Sequence, residues 1–440
     1  MATVRIMEAV LVKPSDATPD HVLTLSALDA QHFLRFSIEY LLVFGPGEAS
    51  PCDAASNIKL ALAKTLVPYY PLAGRVRAKA DGSGLEVVCK AQGAVFIHAV
   101  SEHYSLQDFS RAPRRVSQWR PFLSLHVADV LCGAPPVVLQ LTWLKDDAAV
   151  LGIGLNHCLC DGIGSGEFLN SFADLASSKF RATQLKPKPV WNRELLDLPA
   201  KGAPHISPPC HLPEFSRIND VMGTMSASFL KDKLVPTSVR FDRRILNELK
   251  RVANVKSPTA FTSYEVLSAQ VWISWASCLN LPPNQMLRLL FSVDIRNKLH
   301  PSLPVGYYGN AFILGCAETT VKDLTERGLG HVARLVREAK ESANEDRVRS
   351  LLRLLSERRE SCPDFTGVLV MSQWSRLGLE KMDFGMGRAV HVAPVCCDRY
   401  CVVLPGGGRN PEGDVRVMVA VPASGAAVYE CLVKNPYAFI

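Results

Sequence analysis

No two cysteines of this 440-residue chain stand in CxxC spacing, and the thirteen present are irregularly placed. That pattern supports neither a disulfide framework nor a four-ligand zinc site. Free, mostly buried thiols in a reducing cytoplasm are the expectation. No apolar run approaches the ~20 residues that cross a bilayer, so no membrane span is expected. The opening MATVRIMEAVLVKPSD has no uninterrupted apolar stretch of signal-peptide length, and the closing NPYAFI carries no recognisable address. Basic blocks are missing too. Lys and Arg number 49 against 42 Asp and Glu, a net charge of +7 that is spread along the chain. Without a basic stripe, no nucleic-acid partner is expected, and the excess charge suits solubility or a small anionic ligand. A monomer acting on small molecules is the resulting expectation.

What is present reads as an ordinary globular protein, 48% hydrophobic and 21% charged, long enough for two domains of about 200 residues each. MEAVLVKP and YLLVFGPG read as strands, the second closed by a Gly-Pro-Gly turn. Ile58, Leu62 and Leu66 fall on helical spacing that Pro68 ends. Two strands, LEVVCK and AVFIHAV, come next. PPVVLQLTWLKDDAAVLGIGLNH reads as a hairpin turning at Lys145-Asp146-Asp147. Its second run is apolar nearly throughout, as in a strand covered on both faces. GSGEFLNSFADLAS is amphipathic, with Phe168, Leu169, Phe172 and Leu175 on one side. Proline-dense sequence follows and reads as a crossover between domains. Periodicity returns with helices, including one capped at Thr262 or Ser263 with Glu265 behind it, and with strands such as LRLLFSVD and VRVMVAVP. The predicted organisation is residues 1–180, a crossover at 181–236, and residues 237–440.

The chemically pointed stretch is LNHCLCDGIGSG, in which an apolar run ends on His157 and Asp161 follows four residues later. A buried histidine with a satisfied hydrogen bond beside a helix-capping aspartate is the plain structural reading. The functional reading is a general base, since imidazole titrates near working pH. Gly162, Gly164 and Gly166 would then let a ligand approach closely. Cys158 and Cys160 lack the further ligands a metal would need, so no metal is expected. Asp383-Phe384-Gly385 matches the kinase DFG element, but the chain has no H-R-D loop, no glycine-rich phosphate loop and no V-A-I-K lysine. A glycine turn that Asp383 ties down is the reading kept. Arg296 follows an apolar strand, and a buried arginine needs a carboxylate as a buried Asp161 needs a cation.

NHCLCDG and DFGMG together resemble the HxxxDG and DFGWG signatures of the plant BAHD acyltransferases. LSALD (Leu25–Asp29), YYPLAGR (Tyr69–Arg75), GYYGNAF (Gly306–Phe312) and SQWSRLGLEKMDFG (Ser372–Gly385) fall in the family's order, so the resemblance spans essentially the whole chain. It implies an α/β (mixed α+β) fold of two chloramphenicol-acetyltransferase-like domains, each a mixed sheet flanked by helices. A channel between them would hold His157 near its middle, with acyl-CoA entering one face and the acceptor the other. It implies that Asp161 is an orienting residue paired with Arg296, and that Asp383, Gly385 and Gly387 are structural. Tyr40, Gly162, Ser372, Trp374, Tyr308 and Asn310 are the substrate-binding residues it implies, and the Phe33–Tyr40 segment contributes to the acceptor pocket. Two departures stand out: Met386 replaces the family's tryptophan, and Gln373 replaces a small residue before Trp374.

The implied reaction has neutral His157 take the acceptor's proton as that atom attacks the thioester, with both substrates bound together and no acyl-enzyme. No permanently bound cofactor is expected, since acyl-CoA is a co-substrate. GYYGNAF is more like the alcohol-acylating branch. The leading expectation is therefore a hydroxycinnamoyl or other aromatic acyl group passed to an ω-hydroxy fatty acid, a fatty alcohol or a monolignol. The alternatives are N-acylation of an amine, intramolecular lactonisation of a hydroxycinnamoyl-CoA, and a non-catalytic scaffold in lipid elongation.

Overall fold

The computed structural model describes residues 4–47, 50–177, 187–197, 212–223, 233–256, 259–357, 362–398, 400–407 and 413–439. Most of the proline-rich crossover at 181–236 lies outside the described residues. Strands β1 (Arg5–Val12), β2 (His21–Thr24), β3 (Ser37–Phe44), β4 (Arg75–Ala78), β5 (Leu85–Cys89), β6 (Ala94–Ser101), β7 (Val137–Leu144) and β8 (Ala149–Asn156) precede the crossover. β9 (Leu234–Phe241) begins within its last residues, and β10 (Met286–Asp294), β11 (Phe312–Thr320), β12 (Val368–Gln373), β13 (Ala389–Pro394), β14 (Cys401–Pro405) and β15 (Val415–Pro422) follow. The helices that bear on the site are α1 (Pro51–Thr65), α2 (Gly162–Ala176), α3 (Arg243–Ala253) and α4 (Ser263–Ser277).

Two six-stranded mixed sheets result, ordered β1-β6-β7-β8-β3-β13 and β11-β10-β12-β14-β15-β9, beside a small sheet β2-β5-β4. The chain does not divide between them at the crossover. β13, from the C-terminal half, pairs antiparallel with β3 from Ala389↔Phe44 to Pro394↔Tyr40. The N-terminal sheet therefore closes with a strand contributed by the other half. Each large sheet carries its own apolar core. A third, smaller cluster, centred on Leu290, Phe312 and Leu314, belongs to neither.

The hairpin predicted around Lys145–Asp147 forms, and β7 pairs antiparallel with β8. Asp147 turns the corner at φ +59°, a left-handed conformation that aspartate tolerates. Every residue of β8 is buried, and the strand lies between β7 and β3. That placement explains its unbroken apolar run. α4 is capped by Thr262, whose hydroxyl accepts from Glu265 N–H while the Glu265 side chain accepts from Thr262 N–H. The tight point on β8 is one of its two glycines. A Cβ on Gly152 would stand 2.1 Å from the Phe122 carbonyl oxygen, whereas one on Gly154 would meet nothing nearer than 3.4 Å. Gly152→Ala should therefore cost about 1–3 kcal/mol as the Arg120–Leu123 turn is pushed off the sheet. Gly154→Ala should cost less. Denaturant midpoints of the two variants measure the difference, and equal losses would contradict this packing.

Candidate active site

β8 ends at Asn156 and α2 begins at Gly162, so residues 157–161 form the whole connection. The connection is anchored at its start. His157 N–H donates to Phe36 O at 2.9 Å and Cys158 N–H to Asn156 Oδ1 at 2.9 Å. The His157 ring stands between Phe36 and Phe312, with centroids 5.1 and 6.0 Å away. Burial pushes its pKa below the ordinary value of 6.5, and its own backbone carbonyl and the Asp161 charge only partly oppose that. The imidazole is therefore neutral at physiological pH. Burial also pushes the Cys158 thiol up to about 12, which leaves it protonated and a poor nucleophile.

Asp161 caps α2. Its Oδ1 accepts from Gly164 N–H at 2.8 Å and from Arg296 Nη2 at 3.0 Å. Its Oδ2 accepts from Arg296 Nη1 and from Ala311 N–H, both at 3.0 Å. Both partners are largely buried. Arg296 also donates to the carbonyls of Tyr307 and Gly309 and to Asp294. With four protein donors on two oxygens, the carboxylate has nothing left for a substrate. The glycines after it serve packing. A Cβ on Gly164 would lie 1.9 Å from Tyr308 O and one on Gly166 3.2 Å from Leu377 O. Only Gly162 of the three lines the cavity described below, which corrects the expectation that all three admit a ligand.

A second set of contacts holds the other side of the same connection. Asn310 Nδ2 donates to His157 O at 2.7 Å and to Asp29 Oδ1 at 2.8 Å, and Asn310 N–H donates to Asp29 Oδ1 at 3.0 Å. Asp29, fully buried, is ion-paired with Arg193 at 3.0 Å. Arg193 Nη2 donates to Leu159 O at 2.8 Å, and its guanidinium lies against the rings of Trp191, Tyr307 and Tyr308. Gly309 is what admits that guanidinium, since a Cβ there would sit 2.2 Å from Arg193 Nη1. Asn310 and Tyr308, expected to bind substrate, are buried and do not line the cavity. Their work is internal: Asn310 holds the His157 backbone and Tyr308 packs under α2. Arg193 and the buried role of Asp29 were missed at the sequence level. The available signal was the recurrence of aromatic residues and one arginine in KPVWNRELL and GYYGN, segments distant in the chain.

His157 opens onto a cavity of about 1210 Å³ bounded by both sheets. Tyr40, Gly162, Ser372 and Trp374 line it, as do Phe33, Leu34, Phe36 and Ile38 of the N-terminal segment. Trp374 Nε1 donates to Ser372 Oγ at 3.1 Å, and the Tyr40 and Trp374 rings lie 4.6 Å apart. Tyr40 OH and Ser165 Oγ are 2.7 Å apart, and the Ser165 hydroxyl donates to Gly162 O. Gln373 also reaches the cavity wall. The DFGMG turn does not. Asp383 Oδ1 accepts from Gly385 N–H at 2.9 Å and Gly387 N–H at 3.0 Å, and both glycines sit at positive φ. Met386 packs against the first core, away from the cavity. Among the described residues no group of three or more His, Cys, Asp or Glu is placed to hold a metal ion, and no helix is long and apolar enough to cross a membrane.

Comparison with known proteins places this arrangement. A family model described as the Transferase family, which covers the BAHD acyltransferases, matches residues 2–430. The taxadien-5-alpha-ol O-acetyltransferase of Taxus chinensis is 31% identical over 433 residues, 96% of this chain and 94% of that protein. The fatty alcohol:caffeoyl-CoA acyltransferase of Arabidopsis thaliana is 31% identical over 430 residues, 96% of each. Among solved structures, F. sporotrichioides TRI101, complexed with coenzyme A and T-2, superposes with a TM-score of 0.71 at 17% identity, covering 93% of this chain and 97% of that one. That likeness concerns the fold. With the family match across nearly its whole length, the chain belongs to the BAHD acyltransferases and is an acyltransferase.

Proposed function

We propose that the protein moves a hydroxycinnamoyl or other aromatic acyl group from coenzyme A to the hydroxyl of an alcohol, with His157 as general base. The observation that carries this reading is an imidazole on the cavity wall, its pKa lowered by burial, whose neighbouring carboxylates are engaged elsewhere, Asp161 by Arg296 and backbone donors and Asp29 by Arg193 and Asn310. His157 is thus free to accept a proton rather than being held as an imidazolium. In the reaction the acceptor oxygen attacks the thioester carbon while His157 takes its proton. The tetrahedral oxyanion collapses, the C–S bond breaks, and the thiolate leaves as coenzyme A with the proton returned from the imidazolium. No acyl-enzyme is needed, because the two substrates held side by side gain from proximity. Ser372 is the donor we assign to the oxyanion. Its oxygen already accepts from Trp374, so its hydrogen remains for a ligand in the cavity.

In this reading the channel runs between a first unit, residues 1–180 completed by β13 of the C-terminal half, and a second formed by the rest of residues 237–440, with coenzyme A and the acceptor arriving by different mouths. The names of the relatives, one an acetyltransferase and one a caffeoyl-CoA acyltransferase acting on fatty alcohols, support an alcohol acceptor. The described cysteines are all free, which fits a cytoplasmic setting.

Free-thiol release from a panel of acyl-CoAs, with and without alcohols, tests the proposal. Release that depends on the alcohol is expected. Release without any acceptor would indicate lactonisation or hydrolysis, and silence across the panel a scaffold. His157→Ala should lower transfer by about 10²–10⁴-fold while coenzyme A binding persists; near-normal turnover would refute the assignment. The base must be unprotonated, so kcat/KM should fall as pH drops through the His157 pKa. That acidic limb should be centred below 6.5. Asp161→Ala would leave the largely buried Arg296 with Asp294 alone and would orphan the Gly164 and Ala311 N–H groups, and should cost about 3–5 kcal/mol in denaturant unfolding.

A further inference from the structure

The apolar cluster that belongs to neither core forms one wall of the cavity. Strand register puts its members on a single face: Leu290 pairs with Cys316 and Val370, Ser292 with Leu314, and Asp294 with Phe312. Val368, two residues before Val370, completes the wall, and Phe33 and Leu34 stand against it. The wall has a direction. One end is at the catalytic histidine, where Phe312 lies 6.0 Å from the His157 ring and Ser372 ends the row on β12. The other is at the start of β12, where Phe365, 44% exposed, meets Phe33 edge to face at 6.4 Å. From Val368 to Ser372 the strand covers about 13 Å. Leu290, Phe312 and Leu314 are buried beneath this wall, while Val368, Val370 and Phe33 stay half-exposed at the cavity, an apolar lining of the kind that takes an apolar ligand.

We propose that this wall is the acceptor arm, and that it holds the unbranched alkyl chain of a primary alcohol, its hydroxyl at His157 and its tail leaving between Phe33 and Phe365. This rests on the acyltransfer reading above and narrows its acceptor. Charge separates the two substrates. Beside Phe365 the cavity carries the Asp364 carboxylate, which accepts from Ile218 and Thr366 N–H. Arg288, close to Asp364 at this end, is buried and already paired with Glu318, and no Lys or Arg of the described residues lines the cavity here. Arg376, exposed on the cavity wall just beyond Trp374, stands at the opposite end of β12. The polyanionic coenzyme is therefore favoured on the Arg376 side and disfavoured beside Asp364. An arm open to solvent yet poor in cations is left for the neutral partner.

The test follows free-thiol release from the full chain with p-coumaroyl-CoA and a series of primary alcohols from butan-1-ol to dodecan-1-ol. The wild type should gain about fourfold in kcat/KM per buried methylene until the wall is covered. Val370→Trp, which fills the arm, should bring the dodecanol-to-butanol ratio close to one. Phe365→Ala, at the exposed mouth and tolerant of folding, should lower the same ratio. A flat series in the wild type would overturn the proposal. So would a Val370→Trp protein that keeps the alcohol series steep but changes its preference among acyl chains, because the arm would then hold the acyl group. If no alcohol supports turnover, thermal shifts of His157→Ala decide. Stabilisation by dodecan-1-ol but not butan-1-ol sustains the arm while acyl transfer falls, and equal response overturns the arm as well.

Discussion

The site depends on the buried ion pair between Asp161 and Arg296. Asp161 comes from the loop that follows β8, and Arg296 from the segment that follows β10, so the pair ties one sheet to the other at the point where the cavity passes between them. A buried carboxylate is costly unless its oxygens are satisfied, and here two guanidinium nitrogens and two backbone N–H groups satisfy them. The consequence for His157 is indirect. The charge that could have held its proton is spent elsewhere, and burial keeps the ring neutral.

Around this pair the connection from His157 to Asp161 is held at three successive points. Phe36 O takes the His157 N–H, Asn310 holds the His157 carbonyl, and Arg193 holds the Leu159 carbonyl. None of these touches the cavity in a way that would bind a ligand. They convert a short loop, which would otherwise sample many conformations, into a fixed platform for one imidazole. Arg193 reaches this point from within the crossover and is paired with a buried Asp29 that also holds Asn310. The network therefore joins the first thirty residues, the crossover, and the loop leading into β11.

The cavity walls divide by chemistry along β12. At its end stand the polar groups a reaction needs, Ser372 and the Trp374 indole, next to Tyr40. At its start lies a face that is apolar across three adjacent strands. The period-two alternation of a strand makes this possible: on β12 the residues between, Leu369 and Met371, point into the second core. One short strand thus faces both the second core and the cavity.

Much of this was legible in the amino-acid sequence. The unbroken apolar run of β8, the turn at Asp147, the capping box at Thr262 and Glu265 and the histidine at the end of the strand all follow from local physics, in which burial and backbone hydrogen bonding act over a few neighbouring residues. The tertiary structure alone decided which distant residues meet. It seated β13 in the N-terminal sheet, withdrew Asn310 and Tyr308 from the cavity, and turned Gly164 towards Tyr308. Those outcomes depend on contacts between segments more than a hundred residues apart, and no local periodicity records them.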